Sequence, residues 1–210
     1  MTLRGRGEGF NAPFNPEIDG SAFSRDQVAV RDGELHLGWQ RRRTVVGHNA
    51  YPYAAGIATT ANGMSFTYGV IEARVFVPDT GGILPALWLL PAAVPDEWPP
   101  EIDIAEWVDE DGSGRLNALF NVHWKGEDGQ PTKLAEQYRY ATDVGGQWHT
   151  YRLHWRPDRL TLFFDDVQAY DYGGPGVPQQ PMYLILSGGV AKGAAPAEGA
   201  VRFDHVRVWE

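Results

Sequence analysis

Glu101, Asp103 and Glu106 put three carboxylates into one six-residue stretch, Glu-Ile-Asp-Ile-Ala-Glu, inside a run that otherwise reads as a buried β-strand. Charged groups are rarely buried without a partner or a task. Side chains alternate between the faces of a strand, so Glu101 and Asp103 share a face and Glu106 falls on the other. One extra residue between Asp103 and Glu106, a β-bulge, would bring all three acids to the same face, and bulges re-aim side chains beside active sites. Two carboxylates facing one bond can break a glycosidic linkage: one attacks the anomeric carbon or activates water, the other protonates the leaving oxygen. The plain alternative is an edge strand whose acids are merely solvated.

Carboxylates can do this work only if the surrounding elements hold them together. The chain has 210 residues, 43% of them hydrophobic, enough for one domain with a sizeable core and too apolar for a disordered tail. Short alternating runs occur at 66–77, 85–90, 102–108, 116–124, 148–155, 160–164, 182–187 and 201–209, with no convincing helical period. Asp32-Gly33, between the runs 27–30 and 34–37, predicts a tight hairpin. With 25 Gly and 15 Pro punctuating the strands, the pattern predicts a β-sandwich in a single domain over residues 1–210. The first 25 residues, with Asn11, Pro13 and Pro16, are expected to lie along the surface as irregular structure.

Charge and composition exclude several functions. A net charge of −9 argues against nucleic acid or an anionic membrane as partner and suits a neutral polymer. There is no cysteine, hence no disulfide framework and no thiolate metal site. The six histidines lack the spacing of a catalytic zinc site, and no Gly-x-Ser-x-Gly element supports serine hydrolysis. The longest apolar stretch, 83–94, is too short to cross a membrane and is interrupted by Pro85 and Pro91. Met1 to Gly7 does not resemble a signal peptide, so an extracellular location would need a leader removed earlier or another export route.

Aromatic residues supply the second clue. Sugar rings stack their C–H faces on indole, and Trp88, Trp98, Trp107 and Trp124 sit in or beside the strands nearest the acids. Trp148 and Trp155 have opposite parity, so at least one belongs to the core. His123, as a lone histidine, reads most simply as a satisfied structural residue. Arg41-Arg42-Arg43 reads most simply as a solvated strand end, although a basic patch beside a cleft could meet a sulfated or uronic polymer.

The stretches Phe66 to Arg74, Pro85-Ala86-Leu87-Trp88-Leu89-Leu90-Pro91, Glu101 to Glu106, Val122-His123-Trp124, Trp148-His149-Thr150-Tyr151, Pro181 to Leu186 and Asp204 to Val208 resemble, in order, blocks of glycoside hydrolase family 16. The spaced acidic motif is similar to that of the laminarinase-like branch. The resemblance implies an all-β, concanavalin A-like jelly-roll sandwich with a concave sugar-binding cleft, acting as a retaining endo-β-glucanase on a β-1,3- or mixed β-1,3-1,4-glucan. It implies Glu101 as nucleophile, Glu106 as general acid/base and Asp103 as the residue that orients or tunes Glu101. It also implies substrate contacts from Trp88, Trp98, Trp107, His123, Trp124 and Ser187, with His123 near enough to the acids to hydrogen-bond Asp103.

No cofactor is expected for catalysis. Asp204 resembles the family position that supplies a side-chain ligand to a structural calcium in many members, where backbone oxygens such as that of Gly33 would complete the shell. Two departures from the family pattern bear on specificity: Leu84 stands where many members have Trp, and Ser187 where many have Asn. Asp166 replaces the Gly of an Asp-Gly turn, a local difference. Transglycosylation, hydrolysis of a galactose-based polymer and a lectin-like binding module are the alternatives. Crowding two like charges would serve a pure binder little. The chain is expected to work as a monomer on a polysaccharide.

Overall fold

The computed structural model describes residues 12–92, 98–134 and 138–210. Among the described residues the chain folds into sixteen strands, the longer ones built on alternating apolar residues: β1 (Ser21–Phe23), β2 (Val28–Arg31), β3 (Glu34–Val46), β4 (Asn49–Ala55), β5 (Ile57–Thr59), β6 (Gly69–Phe76), β7 (Ala86–Pro91), β8 (Glu101–Val108), β9 (Asn117–Lys125), β10 (Pro131–Lys133), β11 (Tyr138–Ala141), β12 (Trp148–Arg156), β13 (Arg159–Phe164), β14 (Val167–Tyr172), β15 (Met182–Ser187) and β16 (Gly199–Trp209). A single 3₁₀ turn, Arg25–Gln27, is the only helical element among the described residues. No helix there is long and apolar enough to cross a membrane.

The strands form two sheets. One runs β1-β4-β3-β16-β6-β12-β13-β14, with β2 added on β3; the other runs β10-β9-β8-β7-β15-β5, with β11 added on β9. Neighbours in these orders are often distant in sequence, as when β16 inserts between β3 and β6, and this crossing of chain between layers makes the sandwich a jelly roll. Between the layers lies one main core, in which Ile71, Ala73 and Val75 of the first sheet face the same interior as Ile102, Ile104 and Trp107 of the second. Trp107 is fully buried, its ring edge-on to Tyr151 at 5.3 Å. Withdrawing an indole of this size from water contributes about 4–6 kcal/mol, a strong bias against its turning outward.

Local chemistry explains the tight turns. Arg31 pairs with Glu34, leaving Asp32 and Gly33 as a two-residue loop with φ of 52° and 84°. Those positive values at both positions are what the right-handed twist of a hairpin demands, and Asp and Gly tolerate them. Asp165-Asp166 does the same between β13 and β14, with φ of 46° and 64°, and Asp166 ion-pairs with Arg152.

The N-terminal segment differs from expectation. Residues 1–11, including Asn11, lie outside the described residues, but 12–25 are not simply irregular surface: β1 pairs in parallel with β4, Ser21 opposite Tyr53. Ser21, Ala22 and Phe23 are all buried. Three residues of strand give too short a pattern to read from alternation; pairing with β4 creates it. The last two residues of the apolar stretch 83–94 also lie outside the described residues.

Candidate active site

The bulge is present. On the β9 side Asp103 pairs with Asn121 and Glu106 with Leu119, three steps along β8 against two along β9. On the β7 side Asp103 faces Trp88 and Ala105 faces Leu87, which leaves Ile104 as the extra residue. The inserted residue resets the alternation, so Glu101, Asp103 and Glu106 all line one cleft of about 460 Å³ while Ile102, Ile104 and Trp107 enter the core. The cleft is completed by Ala86, Trp88 and Leu90 of β7, Asn121 and His123 of β9, Lys133 of β10, Ser187 of β15, and Phe14, Ile18, Asp19 and Phe23 from the N-terminal segment.

Polar atoms of Glu101, Asp103 and His123 lie within 4.8 Å of one another. Trp98 donates its indole N–H to Glu101 Oε2, and its ring lies 5.5 Å from that of His123. The Val122 backbone N–H donates to Asn121 Oδ1 at 3.0 Å, which turns the amide nitrogen of Asn121 toward His123 Nε2 at 3.1 Å. Nε2 therefore accepts, and the neutral ring carries its proton on Nδ1. Burial lowers the pKa of His123 and favours that neutral form. Asp103 Oδ2 is 3.3 Å from the same Nε2 lone pair, a position that favours a protonated Asp103.

Burial raises the pKa of all three acids. Asp103, 3% exposed, is pushed well above the ordinary range by burial and then by the charge of Glu106. Glu106 rises to about 7, through burial and then the charge of Glu101. Glu101 rises to about 8, through burial and then Asp103, opposed by His123 and by the Trp98 hydrogen bond. Three carboxyls this close cannot all ionise. Once Asp103 holds a proton its charge no longer opposes ionisation of Glu101. The Trp98 N–H then stabilises the Glu101 carboxylate, whose charge helps Glu106 keep its proton. One ionised and one protonated carboxyl in an apolar-walled cleft can carry out nucleophilic attack and proton donation at a single bond.

The family model for glycosyl hydrolases family 16 matches residues 20–207. This chain belongs to that family. The endo-1,3-1,4-beta-glycanase EglC of Rhizobium meliloti (strain 1021) is 33% identical over 209 residues, covering 95% of this chain and 42% of that protein. The endo-1,3-1,4-beta-glycanase ExsH of the same organism is 31% identical over 169 residues, covering 77% of this chain and 34% of that protein. The chain thus spans less than half the length of either relative. Among solved structures, LamAcat from Zobellia galactanivorans shares the fold with a TM-score of 0.80 at 21% identity, covering 97% of this chain and 88% of that one.

The aromatic residues expected to meet sugar divide. Trp98 and Trp88 line the cleft, but Trp88 is only 8% exposed and Phe14 stands edge-on to it at 4.6 Å, so it is a wall more than an open platform. Trp107 is a core residue and cannot touch substrate, because the bulge that brings Glu106 to the cleft sends its neighbour inward. Trp124 likewise lies on the face of β9 opposite His123. Its ring packs against the core and so closely on Gly176 that an added Cβ would lie 2.6 Å away. Ser187 and Leu84 do line the cleft. Trp155 is buried, donating to the Pro178 carbonyl at 3.1 Å, whereas Trp148 is partly exposed with Arg74 and Arg202 over its ring. Within the basic triplet, Arg42 ion-pairs with Asp26.

The donor set at Asp204 does not fit a calcium ion. Asp204 bulges out of the β16–β6 ladder, and its Oδ2 lies 3.3 Å from both Arg74 Nη1 and His205 Nδ1. A guanidinium already neutralises the carboxylate and would repel a divalent cation. Gly33 sits at the tip of the β2–β3 hairpin as a turn residue.

Asn121, Lys133, Asp19 and Phe14 were not expected at the site. Asn121 was findable, being two residues before His123 on the same strand and hence on the same face. Phe14 and Asp19 reach the cleft from the segment before β1 and Lys133 from β10, and nothing local marks them.

Proposed function

We propose that this chain is a retaining endo-glycosidase that hydrolyses internal linkages of a β-1,3- or mixed β-1,3-1,4-glucan through a covalent glycosyl-enzyme. The observation that carries the reading is the Ile104 bulge, which gives the cleft three acids where a regular strand would give it two. The names of the two glycanase relatives support the glucan. Glu101, aligned by the Trp98 N–H, attacks the anomeric carbon while Glu106 protonates the departing oxygen. Glu106 then takes a proton from the water that releases the sugar. Asp103 keeps its proton toward Glu101 and His123, so that Glu101 alone carries the charge in the ground state. Asn121 holds His123 in the tautomer this needs. The carboxylates do this work without a cofactor, and because the substrate is a polymer the site of action is outside the cell.

The test is incubation with laminarin, mixed-linkage glucan, agarose, carrageenan and β-galactan, followed by product analysis. Internal cleavage of the first two with retained anomeric configuration is expected. Cleavage of galactose-based polymers alone would leave the chemistry standing and overturn the substrate. Glu101→Ala should lose hydrolysis and, with azide, form the α-glycosyl azide; an unreactive variant with azide would remove Glu101 as nucleophile.

A further inference from the structure

One more carboxylate lines the cleft. Asp19 precedes β1 and shares the cavity with Glu101, Glu106 and Ser187. It is only 8% exposed. Its Oδ1 accepts both the backbone N–H of Ser21 at 2.8 Å and the Ser21 hydroxyl at 2.7 Å. Its Oδ2 has no hydrogen-bond or ionic partner among the described residues. The segment is held in place: Asp19 bridges Ala191, the Gly20 N–H donates to the Val190 carbonyl at 2.8 Å, and the Val190 N–H donates to Ser21 Oγ at 3.3 Å. The carboxylate is thus fixed, with one oxygen held by Ser21 and the other left to meet what the cleft holds. Burial accordingly pushes its pKa up to about 7.

Its surroundings suit a sugar ring. Phe14, Phe23 and Ile18 give the same part of the cavity an apolar lining with few polar groups. Ser187 pairs with Ala86, which pairs with Glu106, so Ser187 stands two strands, about 9–10 Å, from the proton donor. The Asp19 segment is tied to Val190 and Ala191, just beyond Ser187. We propose that Asp19 is a substrate-binding residue, its Oδ2 accepting hydroxyl hydrogens of a pyranose unit bound on the β15 side of the acids. This rests on the reading of the cleft as a glycosidase site.

Asp19→Asn keeps an oxygen for Ser21 and presents an amide NH₂ in place of Oδ2. Laminaritetraose and a mixed-linkage tetrasaccharide are titrated calorimetrically into Glu101→Gln and into Glu101→Gln/Asp19→Asn. The second substitution should weaken the tighter of the two ligands about tenfold or more. In the active enzyme, Asp19→Asn should raise KM on laminarin with little change in kcat. Ser21→Ala, which removes the hydroxyl's bonds to Asp19 Oδ1 and from the Val190 N–H but touches nothing at Oδ2, should lower Tm and leave affinity unchanged. Equal affinity with and without Asp19→Asn, an equal loss in Ser21→Ala, or no binding of either tetrasaccharide overturns the proposal. Binding that depends on Asp19 in a protein that cleaves no glucan would overturn the hydrolase reading and leave Asp19 standing. Glucan cleavage with Asp19→Asn affinity unchanged would do the reverse.

Discussion

Replacing Glu101 by Gln should destroy activity and stabilise the fold, and the stabilisation should depend on pH. The side chain is partly buried in a cleft that already holds Asp103 and Glu106; burial and then the Asp103 charge push its pKa from 4.5 up to about 8, an upper bound from which a protonated Asp103 removes the second contribution. Each pH unit of such a rise is worth about 1.4 kcal/mol, so the folded state opposes the ionised form by about 5 kcal/mol at most. Because solvent reaches part of the side chain and the charge is shared with Asp103, about 2 kcal/mol is the expected net effect. A carboxyl raised by folding costs nothing below its unfolded pKa, because both states are then neutral. Stability is lost as pH rises from about 4.5 through about 8, and the full cost remains above that. Gln carries no charge at any pH and can still accept from Trp98. The Tm of Glu101→Gln should therefore match the wild type near pH 4.5 and exceed it by about 4–8 °C at pH 9. Calorimetric scans at both pH values measure the gap. A gap of the same size at both, or a wild type more stable at pH 9, would refute the claim that this carboxylate is held against its own desolvation cost.

Trp98→Phe keeps a ring beside His123 but removes the N–H that stabilises ionised Glu101; at about 1.5–3 kcal/mol for a bond to a charge, the acidic limb of the pH–rate profile should move up by about 1–2 pH units, and an unmoved limb would show the bond to be idle. Glu106→Ala should lose the basic limb and most glucan hydrolysis while retaining most of its rate on aryl glycosides with good leaving groups, a difference that steady-state kinetics on both substrates would expose. Because Arg74 and His205 already engage Asp204, EDTA should leave Tm unchanged; a fall reversed by calcium would restore a metal to that site. Deleting Ile104 places Glu101, Asp103 and Glu106 at alternate positions of a regular strand, so the acids still share the cleft face at nearly the same ladder spacing, because Asp103 and Glu106 already stand opposite residues two apart on β9. The deletion variant should keep its far-ultraviolet dichroism and a reduced but measurable activity, whereas inserting a second residue there should abolish activity.

Much of this was legible in order and parity alone. Three acids in six residues, read against a period of two, required one extra residue between Asp103 and Glu106, and the ladders on both sides of β8 contain it. The same parity required at least one of Trp148 and Trp155 to be a core residue, and the structure buries Trp155 and leaves Trp148 partly exposed; Asp32-Gly33 announced its hairpin through the backbone angles such a loop needs. Parity also bore on Trp107 and Trp124, each adjacent to a cleft residue on its strand and so turned to the opposite face; proximity to the acids in sequence was a weaker guide than alternation. What no local pattern carried was the far wall of the cleft. Phe14, Asp19 and Lys133 come from a segment before a three-residue strand and from a short edge strand, where too few residues alternate to leave a signal. Whether Asp204 meets a metal or an arginine likewise depends on Arg74, 130 residues away in sequence. The sequence specifies which faces its long strands present, because alternation is a property of each strand by itself. Only packing between strands distant in the chain decides what those faces meet.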